Sequence, residues 1–205
     1  MALIKLNNKA VSNATAFGSI SSLGSMVFIK KLTASSSATL SFVDGTDGVV
    51  LDDTYKEYYF TFNNIHPATD SAEFQVNFRD GGTAYDAVKT TTFFLAYHAE
   101  AGNDQGLTYA AGSDIAQGTG FQNLIQNIGN GNDECGAGNL TLYNPSSTTF
   151  VKHFIAQGSR YGDDNYQANE FVAGYCNTTT AIDGVQFKFN SGNIDSGDIC
   201  LYGIA

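Results

Sequence analysis

The chain has 205 residues and a mass of 21.8 kDa, with 42% hydrophobic residues, 15 Phe, 11 Tyr, only 15% charged residues and a net charge of −10. A chain of this size buries about 70% of its extended surface in one substantial domain, and its apolar content excludes intrinsic disorder. Twenty acidic residues against ten basic ones, with no basic run, exclude the phosphate-neutralising footprint of a nucleic-acid binder, and no apolar run approaches the ~20 residues of a membrane-spanning helix.

In chain order, the first 25 residues are rich in Ser, Asn and Ala and fit no sustained period, so an irregular arm over 1–25 is expected ahead of one domain over 26–205. The opening lacks the apolar central stretch of a secretion signal, which points to synthesis in a cytoplasm. From Met26 onward, short alternating segments rich in Phe, Tyr, Val, Ile and Thr recur between Gly, Asn, Asp and Ser clusters, the pattern of strands and turns. Strands are predicted at Met26 to Thr33, Ala38 to Val43, Lys56 to Ile65, Phe74 to Phe78 and Thr90 to His98. The last of these, a continuous β-branched and aromatic run, is expected to be covered on both faces. Further strands are predicted at Leu140 to Tyr143, Phe150 to Ala156, Glu170 to Cys176, Val185 to Phe189 and Ile199 to Ile204.

Between them, Phe121, Leu124, Ile125 and Ile128 recur at helical spacing, which predicts one short helix packed across the end of a sheet. Without long helices between strands, a parallel α/β fold is excluded. The fold class is therefore all-β, an antiparallel β-sandwich of jelly-roll type, with a barrel as the alternative.

Little in the chain nominates chemistry. Around Glu57, Glu73, Glu134 and Glu170, no segment offers two carboxylates at i, i+2 or i, i+4 on a clear strand face in company with aromatics, so the carboxylate pair of a glycan hydrolase is not formed along any one segment. His66, His98 and His153 stand alone, and no Gly-x-Ser-x-Gly elbow occurs. The stretch from Asp44 to Gly48 with Asp52 and Asp53 suits a turn, with calcium as the lesser alternative. Three thiols, Cys135, Cys176 and Cys200, lack metal-like spacing; reduced thiols are expected, with a Cys176 to Cys200 bridge left open. The segment from Gln157 to Asn169, QGSRYGDDNYQAN, is expected to be a loop. Its Tyr161 and Tyr166 around Asp163 and Asp164 form the candidate binding residues, able to stack on and hydrogen-bond to a sugar or to meet a protein partner.

Taken together, the opening MALIKLNNKAVSNATAFGSI, TASSSATLSFVDG, YYFTFNNIHPATD from Tyr58 to Asp70, KTTTFFLAYH from Lys89 to His98, LTLYNPSSTTFVKHF from Leu140 to Phe154 and the closing GVQFKFNSGNIDSGDICLYGI carry a resemblance. The chain resembles a family of virion structural proteins of marine tailed phages, those infecting cyanobacteria and abundant ocean bacteria, over nearly its whole length. The resemblance implies a non-enzymatic β-sandwich component of the particle, either capsid decoration or part of a tail fibre or appendage. It further implies a subunit made in the host bacterial cytoplasm and present in many copies, with other virion proteins as partners. No catalytic residue and no cofactor follow from it. A homo-oligomer is expected, with the arm docking on a neighbouring subunit. A carbohydrate-binding module that meets a host-surface glycan is the alternative, and a glycan hydrolase ranks behind both.

Overall fold

The computed structural model describes residues 25–205, so the expected arm lies outside the described residues except for Ser25. Twelve strands follow: β1 (Met26–Thr33), β2 (Leu40–Val43), β3 (Glu57–Pro67), β4 (Ala72–Arg79), β5 (Lys89–Ala99), β6 (Gln105–Tyr109), β7 (Gln122–Ile128), β8 (Gly136–Tyr143), β9 (Lys152–Tyr161), β10 (Tyr166–Cys176), β11 (Gly184–Phe189) and β12 (Ile194–Ile204). They form two antiparallel sheets, one of eight strands in the order β1-β12-β3-β8-β9-β10-β5-β6 and one of four in the order β2-β11-β4-β7. The protein is an all-β sandwich.

The connectivity has a simple logic. Set aside the β5–β6 and β9–β10 hairpins, and eight strands remain in two sheets of four. The first, eighth, third and sixth share one sheet (β1-β12-β3-β8), and the second, seventh, fourth and fifth share the other. That is the jelly-roll order. The two hairpins are insertions that pair with each other through β10 and β5 and widen one sheet from four strands to eight. The molecule therefore has a jelly-roll half and an extension half.

Alternation builds the jelly-roll core. Tyr58, Phe60 and Phe62 of β3 point inward, as do Phe74, Val76 and Phe78 of β4 and Val185, Phe187 and Phe189 of β11. Phe187 sits at the centre, with ring centroids 5.5 Å from Phe60, 5.2 Å from Phe62, 5.8 Å from Phe74 and 6.3 Å from Phe42. Three of these contacts are edge-on and one is stacked, which are the geometries the aromatic quadrupole favours.

Three sequence expectations need correction. Among the described residues there is no helix, and residues 122–128 are strand β7. Its register against β4 slips twice, between Ala72 and Phe74 and between Phe74 and Gln75, each time adding a residue on the β7 side. These bulges bring Leu124, Ile125 and Ile128 into the core although they do not alternate. The uneven apolar spacing thus mimics a helical period. Secondly, β5 is covered on one face only: Thr91, Phe93 and Leu95 are buried, whereas Thr92 and Phe94 are exposed. Thirdly, the supposed loop from 157 to 169 is mostly hairpin, because β9 runs to Tyr161 and β10 starts at Tyr166. Strand β6, whose QGLTY has little alternation, is a further element not predicted.

Candidate functional site

The extension half places its charges the opposite way round from an ordinary surface sheet. Strands β5, β9 and β10 carry four Lys, Arg and Glu side chains on the core side, Lys89, Lys152, Arg160 and Glu170, all of them buried. On their outward side stand Thr92, Phe94 and Ala96 of β5, His153, Ile155, Gln157 and Ser159 of β9, and Gln167, Asn169, Phe171 and Ala173 of β10, with no Asp, Glu, Lys or Arg among them.

The buried charges fasten loops and β7 to the widened sheet. Lys89 donates to Gly120 O at 2.8 Å, and Lys152 donates to the carbonyls of Thr178 and Thr180. Burial lowers Lys89 to about 8 and also lowers Lys152. Cys176 lies directly opposite both lysines in the strand register. Burial pushes its thiol up to about 12 despite those cations, so it is no thiolate nucleophile. Glu170 accepts the Gln126 backbone N–H at 2.8 Å and stands 3.6 Å from Arg160 Nε. Burial pushes its carboxyl up to about 8, outweighing that N–H and the Arg160 charge. A raised carboxyl pKa often marks a general acid, but this one is sealed beneath β7. Ile125 of β7 packs so closely on β9 that a β-carbon at Gly158 would meet its Cγ1 at 2.5 Å.

The outer face of the eight-stranded sheet is the largest candidate surface. Eight large hydrophobic side chains are exposed among the described residues, and six of them lie on this face: Met26, Phe28, Phe94, Leu107, Tyr109 and Ile155. Leu107 is 73% exposed, Tyr109 53%, Ile155 52% and Phe94 41%. Strand register aligns Tyr109, Phe94 and Phe171 in one row, with Phe94 and Phe171 stacked at 5.0 Å and 10°. Beside this aromatic ridge the short side chains of Thr92 and Ala173 leave a hollow of about 390 Å³, closed on the far side by His153 and Tyr175. A second hollow of about 300 Å³ opens over Gly138 and Gly158, walled by Asn139, Gln157 and Asn169, where Gln157 Nε2 donates to Asn169 Oδ1 at 3.0 Å. Charge on this face is confined to its margins, at Glu57 where β3 begins, at the Lys31–Asp198 pair at the β1 edge, and at Asp114, which accepts the Tyr109 hydroxyl at 2.6 Å. The outer face of the small sheet differs: it bears Glu73, Lys188 and Arg79, the last paired with Asp183 at 2.8 Å.

The four candidate residues of the β9–β10 turn are not brought together into one site. Tyr161 ends β9 on the outward parity, while Tyr166 begins β10 on the inward parity beside Tyr97, at 5.9 Å. Their hydroxyls donate separately, Tyr161 to Asn165 Oδ1 and Tyr166 to Asp104 Oδ2. Asp164 is committed to Arg160, accepting from Nη1 at 3.0 Å. Burial pushes Asp164 up, but the Arg160 hydrogen bond and charge outweigh it and hold the carboxyl below its ordinary value. Asp163 is exposed at the tip.

The remaining motifs are occupied by local structure. Asp44 accepts the Leu51 N–H, and Asp52 accepts the Thr54 N–H and lies within reach of the Tyr58 hydroxyl, the work of turn residues. His66 stands 3.1 Å from Gly131 O through one ring nitrogen and 3.6 Å from Asp195 through the other. All three thiols are free; Cys176 faces the core from β10, whereas Cys200 has the outward parity of β12, so the two cannot bridge. Compared with known proteins, the chain matches no family model, no curated protein and no solved structure.

Proposed function

We propose that the protein is a non-enzymatic structural subunit of a phage particle, serving as capsid decoration or as part of a tail fibre or appendage. In this reading it folds in the host bacterial cytoplasm and is built into the virion through contacts with other virion proteins. The observation that carries the proposal is the wide outer face of the eight-stranded sheet, whose charges stand only at its margins and which exposes six large hydrophobic side chains on an acidic protein. A concentration of exposed large hydrophobic side chains on one face is a mark of proteins that are covered in their working state. The jelly roll suits such a role, since viral capsid domains use it, although lectins use it too and fold alone does not set function. No cofactor enters the proposal.

The test is composition of the particle. Purified virions banded on a density gradient should carry the chain at many copies per particle by quantitative mass spectrometry. Its recovery only in the soluble lysate would end the proposal.

A second reading, a carbohydrate-binding module that meets a host-surface glycan, is favoured by the hollow walled by Asn139, Gln157 and Asn169, since amides recognise sugar hydroxyls. Glycan-array binding that disappears in Gln157→Ala would support it. Loss on Tyr161→Ala or Tyr166→Ala would instead return the site to the turn.

A further inference from the structure

We infer that the outer face of the eight-stranded sheet is the contact by which two copies of this chain associate face to face about a two-fold axis. The inference rests on the structural-subunit reading and names the partner for its uncovered face.

Electrostatics selects the face. Each copy carries a net charge of −10, so most approaches between copies set acidic side chains against acidic side chains. On this face the charges stand at the margins, and two copies can meet over its centre without burying an unpaired ion. Of the strands bearing it, β5, β9 and β10 hold their lysines, arginine and glutamate on the core side.

Shape points to a second copy. A two-fold contact uses the same patch twice, so the patch must hold a projection and a matching recess. Both occur side by side here: the stacked Phe94 and Phe171 form a ridge, and the hollow over Thr92 and Ala173 lies one row away. Rotation about an axis between them seats the ridge of each copy in the hollow of the other. The size is also adequate. Eight strands spaced at about 4.8 Å and five outward rows at about 6.8 Å span roughly 900 Å², against about 800 Å² per partner in a stable interface.

Sedimentation velocity of the full chain across a concentration series tests this, with Ile155→Lys and Leu107→Lys in the face and Lys188→Glu on the small sheet. Ile155 and Leu107 are more than half exposed, so both variants should keep the wild-type circular dichroism and melting profile. A dimer for the wild type and Lys188→Glu, with at least a tenfold weaker dimer for each face variant, is the expected result. Contacts of this size hold at micromolar concentrations or tighter, so a wild-type monomer at about 100 µM overturns the inference. Association that persists undiminished in both face variants overturns it too, as does a monomer that binds a glycan through this face. None of these outcomes removes the chain from the particle, which gradient composition decides separately.

Discussion

The jelly-roll half and the extension half bury their inner surfaces by different means. Between the two sheets of the jelly roll, Phe42, Phe60, Phe62, Phe74 and Phe187 fill the space with rings, and little but apolar contact is needed. The extension is covered by β7 at the edge of the small sheet, by loops and, at one point, by Phe78 of β4, whose ring lies 4.9 Å from that of Phe154 on β9. There the chain uses long side chains with polar ends, Lys89 and Lys152 binding loop carbonyls and Arg160 bridging toward Asn127, Asp164 and Glu170. A widened sheet that only the edge of the second sheet covers adds a few directed hydrogen bonds where interdigitated rings are fewer. The comparison also bears on function, because the half that hides its charges is the half that presents the uncharged outer face.

The largest effect is expected where rings do the holding. Phe187→Ala removes the centre of the aromatic cluster and should lower unfolding free energy by about 3–5 kcal/mol, read from urea denaturation. Lys152→Ala should cost about 2–3 kcal/mol, because the Thr178 and Thr180 carbonyls lose their buried donor. Amide exchange should localise that loss to residues 177–182 and neighbouring β9, leaving β3 and β11 protected. Equal loosening of both halves would erase the distinction between them.

Titration sharpens it further. The folded Glu170 carboxyl is raised to about 8 from an ordinary 4.5, so it holds its proton more tightly folded than unfolded. Its contribution is fully present below pH 4.5 and is lost as pH rises through 8. Denaturation midpoints of Glu170→Gln should therefore fall less between pH 5 and 8 than those of the wild type, and parallel profiles would refute the assignment. The smallest stability effect is on the outer face: Phe94→Ala loses a stacked pair and should cost about 1 kcal/mol in the monomer by the same urea assay. A cost as large as that of Phe187→Ala would mean that Phe94 belongs to the core.

Much of this organisation is legible in the chain. Alternation in YYFTF, FQVNF and VQFKF places the β3, β4 and β11 rings on one side, and β1 is delimited residue for residue. The expected helix over 121–128 fails because bulges alter strand period without any local sequence mark, and they depend on β4, far away in the chain. The uncharged face was within reach: Lys152 and Arg160 share the parity of Phe154 and Ala156, and Glu170 that of Val172, which already places charge inside and Ile155 and Phe171 outside. What sequence cannot supply is the lateral order of strands, which alone puts Tyr109, Phe94 and Phe171 in one row.

Covalent carbene footprinting of the full chain, compared between dilute and concentrated solution, reads the paired face residue by residue. Phe94, Leu107 and Ile155 should lose labelling together as concentration rises, while Lys188 and Phe150 label unchanged. Protection that falls on the small sheet, or labelling of the three residues that does not change with concentration, would contradict that pairing.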